Sequence, residues 1–120
     1  MELDIQIIKT QNPKEKPQNE SGLSFGKLFT DHMFLVEYTE GRGWHDARIQ
    51  PYGPLAIDPA SPVLHYSQEI FEGLKAYRRK DGGLQMFRPL ENANRMNRSA
   101  ERMCMPQLDP EFQVRAMRTL

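Results

Sequence analysis

The tetrapeptide Lys80-Asp81-Gly82-Gly83 forces the backbone to reverse. Aspartate favours turn positions, and two successive glycines accept the positive φ that a tight hairpin demands. The flanking runs, Leu74-Lys75-Ala76-Tyr77-Arg78 and Leu84-Gln85-Met86-Phe87, therefore predict two antiparallel strands. Pro89 ends the second strand. Beyond it Leu90, Ala93, Met96, Ala100 and Met103 recur at spacings of three and four, with Arg95, Arg98, Glu101 and Arg102 elsewhere on the wheel, which predicts an amphipathic helix. Asp109-Pro110-Glu111 then supplies an N-cap, a first-turn proline and an acid beside the positive helix end. Phe112, Ala116, Met117 and Leu120 continue one apolar stripe from there, so a second helix is expected. It runs to residue 120 without a Gly, Asn or Pro, so the chain is expected to be cut or continued at that end.

Upstream of the hairpin, residues 27–39 are rich in aromatic and β-branched side chains on both alternating faces. They predict a strand covered on both sides, with Gly41-Arg42-Gly43 as its breaker. Residues 44–57 hold Arg48-Ile49-Gln50 and Leu55-Ala56-Ile57 split by Pro51 and Pro54, which predicts an irregular or edge segment. Residues 9–22 contain no apolar side chain, so burial cannot offset the entropy of ordering them. Residues 1–22 are accordingly expected to be a mobile polar arm and residues 23–120 one α+β domain. The strands-then-helices order implies a mainly antiparallel sheet with helices packed on one side.

The chain has 120 residues, sixteen Lys plus Arg against sixteen Asp plus Glu, and one domain's length. Its longest apolar run, Met33-Phe34-Leu35-Val36, falls far short of the ~20 residues a membrane helix needs, so no membrane span is expected. The opening Met1-Glu2-Leu3-Asp4-Ile5 is acidic where a secretory signal is basic, and a single cysteine, Cys104, allows no internal disulfide. Both features point to the cytoplasm. The neutral total hides an asymmetry: residues 75–102 carry eight cations against Asp81, Glu91 and Glu101, a net of +5 that favours anions.

Phosphate-binding glycine loops, HExxH and CxxC are all absent from the sequence. His32, His45 and His65 are widely spaced and read as structural rather than metal-ligating, and Cys104 between Met103 and Met105 reads as a small core residue. Arg95 is different. It precedes apolar Met96, near the buried edge of its helix, where a guanidinium needs an anionic partner. Two partners satisfy it: a carboxylate of the fold, which physical chemistry alone favours, or a ligand phosphate that suits the fork. In the segment from His65 to Tyr77, Gly73 at a strand entrance suggests a bend or a close approach. Tyr66 and Phe71 either pack in the core or, on one helical turn, line the same wall.

Several of these stretches, taken in order, carry a resemblance. Phe25-Gly26-Lys27-Leu28-Phe29-Thr30-Asp31-His32-Met33, Gly43-Trp44, Arg48-Ile49-Gln50-Pro51, Leu64-His65-Tyr66, Phe71-Glu72-Gly73-Leu74-Lys75-Ala76-Tyr77, Phe87-Arg88-Pro89 and Asn94-Arg95-Met96 resemble branched-chain amino acid aminotransferases over about residues 20–120. The likeness is to the subfamily that includes the animal enzymes. It implies a pyridoxal 5'-phosphate enzyme of fold type IV with two domains, a homodimer, and amino acids and 2-oxo acids as its small-molecule partners, with no nucleic acid. This chain matches the smaller N-terminal domain. By position in the motifs, Arg95 corresponds to the arginine that binds the cofactor phosphate. Tyr66, Phe71 and Phe25 correspond to walls of the pocket for the substrate's aliphatic group, and Gly73 to the glycine beside it.

The family holds its cofactor as a Schiff base on a lysine of the second domain, roughly a hundred residues past the position of Arg95. None of Lys9, Lys14, Lys16, Lys27, Lys75 or Lys80 sits in a matching context. No catalytic residue is therefore assigned within residues 1–120, and this stretch alone is expected to be inactive. Two other readings stand beside it. One is a different fold type IV activity, such as a D-amino acid aminotransferase or aminodeoxychorismate lyase. The other is a non-enzymatic α+β module that binds anions or nucleic acid through the +5 stretch.

Overall fold

The computed structural model describes residues 1–120, which divide into two compact units: Leu3–Leu55 with Leu120, and Ala56–Thr119 with Met1–Glu2.

The first unit is a three-stranded mixed sheet. Strands β2 (His32–Thr39) and β3 (Gly43–Pro51) form an antiparallel hairpin, and β1 (Gln6–Ile7) pairs parallel to the other edge of β3. The reversal between β2 and β3 uses Gly41 and Gly43 at φ of 82° and 80°, values that only glycine adopts without a Cβ penalty. Between the pairs Leu35↔Arg48 and Glu37↔His45 the strand β3 spends one residue more than β2. Asp46, at φ 53°, takes up that bulge, and aspartate is among the few side chains that tolerate the left-handed region.

Two sequence expectations change here. Residues 44–57 are not an irregular or edge segment throughout, because β3 is the central strand of the sheet. Pro51 closes that strand and Pro54 lies beyond it, so neither interrupts the ladder. Strand β2 is also not covered on both sides: its first residues are half-buried and Glu37, Tyr38 and Thr39 are exposed. Residues 9–22 are almost wholly exposed and include a single 3-10 turn at Glu20–Gly22. Lys14 donates its backbone N–H to Asp31 Oδ1 at 2.9 Å, and its ammonium lies over the Tyr52 ring.

The second unit opens with the short helix α1 (Pro62–Tyr66), ended by Ser67 in the left-handed conformation. The hairpin β4 (Ala76–Arg78) and β5 (Leu84–Met86) follows, with Ala76 opposite Met86 and Gly82 at φ 84° in the turn, as the Asp-Gly-Gly signal requires. Helix α2 (Pro89–Arg102) starts on Pro89, whose missing N–H costs nothing at the first position. Helix α3 (Pro110–Thr119) is capped by Asp109, whose Oδ1 accepts the Phe112 N–H at 2.9 Å. The two helices share the core of this unit: Ala93, Ala100, Leu108, Phe112, Val114 and Ala116 are buried, with Phe112 only 1% exposed. Removing this apolar surface from water holds the two helices together. The α+β class and its mainly antiparallel strands follow the sequence reading. No helix is long and apolar enough to cross a membrane.

Candidate functional site

The predicted anion-binding residue has found an anion. Arg95 lies on the second turn of α2, three residues after Asn92, so both project from one face of the helix toward the loop that precedes β4. There, Glu72 Oε2 accepts from Arg95 Nε at 2.7 Å, and Glu72 Oε1 accepts from Arg95 Nη2. The same Oε1 accepts from Asn92 Nδ2 at 3.0 Å and from the Gly73 N–H at 3.0 Å. Asn92 also donates to the Gly73 carbonyl at 3.1 Å, so helix and loop are joined twice. With so many donors on one carboxylate, the proton is displaced: the Arg95 hydrogen bond first, aided by Asn92 and the Gly73 amide, holds the Glu72 carboxyl at about 2. Arg95 is raised in turn by the same hydrogen bond.

The sequence placed Arg95 near the buried edge of its helix, yet its side chain is 59% exposed and that of Glu72 9%. The requirement for an anionic partner held, and the partner is a carboxylate of the fold. Sequence reasoning missed Glu72 and Asn92. The available signal was an acid beside Gly73 and an amide one turn before Arg95.

The remaining candidates are solvent-facing. Tyr66 ends α1 and is 84% exposed, and Phe71 is 86% exposed in the loop, so no single helical turn carries both. Tyr66 borders an open pocket of about 400 Å³ with Pro62, Gln68, Arg102, Met103 and Cys104. Cys104 is exposed rather than buried in the core. The ring of Phe71 folds back to 3.4 Å from where a Cβ on Gly73 would stand, which is the close approach that glycine there suggested. Phe25 belongs to the other unit and is fully exposed at 101%.

Each histidine is spent on the fold. His32 Nε2 accepts from the Thr10 N–H at 2.9 Å, and a His65 ring nitrogen lies 2.6 Å from the Pro59 carbonyl. His45 lies between Thr39 Oγ1 and Asp46 Oδ2, each at 2.8 Å. Glu37, His45 and Asp46 bring ligand atoms within 4.8 Å of one another. Their charge is already answered, since Arg48 pairs with Glu37 at 2.8 Å and Arg42 with Asp46 at 3.6 Å.

No family model matches the chain. Individual proteins do. A branched-chain-amino-acid transaminase 1 of Bacillus subtilis is 55% identical over 116 residues, 97% of this chain and 32% of that protein. A branched-chain-amino-acid aminotransferase of Mycobacterium tuberculosis is 47% identical over 121 residues, 98% of this chain and 33% of its own. The mitochondrial branched-chain-amino-acid aminotransferase of Mus musculus is 46% identical over 117 residues, covering 98% and 30%. The chain thus spans about a third of the length of the relatives it matches. An α+β stretch with a helix-borne arginine fork is in this way tied to the aminotransferases. Over nearly its whole length the chain is similar to branched-chain-amino-acid aminotransferases.

Proposed function

We propose that this chain is the N-terminal part of a pyridoxal 5'-phosphate enzyme of fold type IV that exchanges an amino group between leucine, isoleucine or valine and 2-oxoglutarate. The observation that carries the reading is 55% identity across 97% of the chain to a transaminase of that name. The cofactor, when bound, supplies the electron sink that amino-group exchange needs. The Arg95 donors suit its phosphate end: the Glu72 bonds occupy the Nε and Nη2 edge, and Nη1 takes no part in them.

Tyr66, Phe71 and Gly73 are proposed to receive the substrate's aliphatic group, and Phe25 is a separate proposed contact. Their exposure supports this, because large aromatic surfaces left in water gain most when a ligand or further protein covers them. Residues 23–120 are proposed as the smaller domain and 1–22 as its polar arm, within a cytoplasmic homodimer. The lysine that carries the cofactor is proposed to lie outside residues 1–120, so this stretch has no transaminase activity by itself.

The test is amino transfer by the full-length protein, with glutamate formation followed from leucine and 2-oxoglutarate. Turnover is expected with all three branched-chain amino acids. Turnover confined to D-alanine, or lyase activity on aminodeoxychorismate, would replace the reading with another fold type IV activity.

A further inference from the structure

We propose that Glu72 is a positioning residue for the phosphate anchor: it grips Arg95 along the Nε and Nη2 edge so that the Nη1 donors are held ready for an anion. The inference rests on the phosphate-binding reading of Arg95 and goes beyond it, since that reading asks nothing of Glu72.

Three observations carry it. The Glu72 side chain is the sheltered member of the pair, at 9% exposure, and the Arg95 side chain the solvent-facing one, at 59%. Glu72 is also fixed independently of Arg95, because Oε1 takes the Asn92 amide and the Gly73 N–H, each at 3.0 Å. A carboxylate that only neutralised a surface cation would need neither. Finally, Asn92 bridges to the Gly73 carbonyl, so the loop carrying Glu72 and the helix carrying Arg95 hold a common frame. The long arginine side chain then loses its rotamer freedom when the protein folds, and the anion that arrives later does not bear that cost.

The rival arrangement uses the same contacts with the opposite sign: a carboxylate standing in for the phosphate and competing with it. Removing a competitor tightens anion binding, whereas removing a support weakens it.

The experiment uses the full-length holoenzyme with pyridoxal phosphate as the probe. Retention is followed by absorbance after dilution, and the phosphorus-31 resonance of the bound phosphate is recorded for each variant. Glu72→Gln, close in shape and without charge, is expected to retain the cofactor about tenfold less well. It is also expected to shift that resonance, which a loss of global stability alone does not move. In an Arg95→Ala background the same substitution should cost nothing further, since its effect passes through Arg95. Unchanged or tighter retention in Glu72→Gln, or an equal loss with Arg95 already removed, overturns the proposal while leaving the phosphate reading intact. If Arg95→Ala itself leaves retention unchanged, the phosphate reading fails and the proposal with it. Should Glu72→Gln not accumulate as folded protein, Asn92→Ala keeps the carboxylate and frees one of its anchors. A loss of about threefold is then expected, and no loss overturns the proposal.

Discussion

Glu72 and Arg95, 23 residues apart in the chain, meet edge to edge, with Nε on Oε2 at 2.7 Å and Nη2 on Oε1. The pair joins the loop ahead of β4 to the second turn of α2, and Asn92 reinforces it from one turn earlier. A bidentate geometry of this kind is directional, so it fixes an orientation as well as a charge balance.

Replacing Arg95 in the full-length protein separates charge from geometry. Arg95→Lys keeps the cation and loses the fork, and is expected to weaken pyridoxal-phosphate retention moderately. Arg95→Ala should weaken it strongly, on a scale of about 1.5–3 kcal/mol per charge-assisted bond. Arg98→Ala and Arg102→Ala, exposed on the same helix, should change little. Equal losses at Arg95 and Arg98 in a dilution assay would mean a general electrostatic effect instead of an anchor.

Acid should dismantle the pair before it touches the apolar core. Glu72 is depressed to about 2 from the usual 4.5, so its contribution to stability is fully present above the unfolded value. It is lost as the pH falls toward the folded one. Asp109 is lowered with the same sign, first by the Met1 ammonium at 2.6 Å and then by the Phe112 N–H. Urea unfolding of wild type and Glu72→Gln at several pH values should therefore show a constant gap above pH ~5 that closes toward pH ~2. A gap that persists unchanged at the acid end would place the stabilisation somewhere other than the ionised carboxylate.

Tyr66→Ala and Phe71→Ala should act on substrate choice. Both side chains are more than four-fifths exposed, at 84% and 86%, so truncating them removes little packing within this chain. The expected outcome is a fall in kcat/KM for leucine relative to glutamate with little loss of Tm, since about 0.8 kcal/mol per buried CH₂ is forfeited only when substrate is bound. An unchanged ratio would take both residues out of the substrate pocket.

Phe112→Ala makes the contrasting case. Its ring is 1% exposed between the two helices, so truncation should cost about 3–5 kcal/mol of stability and lower Tm by calorimetry. Asp109→Ala removes the cap on the Phe112 N–H and should cost about 1 kcal/mol.

Local signals made the second unit legible. The Asp-Gly-Gly turn, the proline at the start of α2 and the Asp-Pro-Glu opening of α3 each act within a few residues, where one side chain decides a backbone angle or satisfies an orphan amide. Strand β3 was not legible. Pro51 and Pro54 read as breakers of the whole of 44–57, but a proline harms a ladder only where its missing N–H was required, and Pro51 stands at the strand's last position. The partner strand β1 is two residues long and pairs with residues more than forty positions away, a distance over which propensity says nothing. At the site, the sequence expectation of an anion for Arg95 started from a burial that the structure does not show, since that side chain is 59% exposed. The sequence could not choose Glu72, because that choice depends on how the loop meets the helix.

The double link between loop and helix also makes a statement about how such sequences vary. With Glu72 seated between Phe71 and Gly73 and bonded to Asn92 and Arg95, a change of loop shape that alters which side chain fits against Phe71 also moves the guanidinium. Positions 71–73 and 92–95 are then one unit of inheritance rather than two. Drift at one is expected to need a matching change at the other, and recombination that splits them between two divergent parents should give hybrids worse than either.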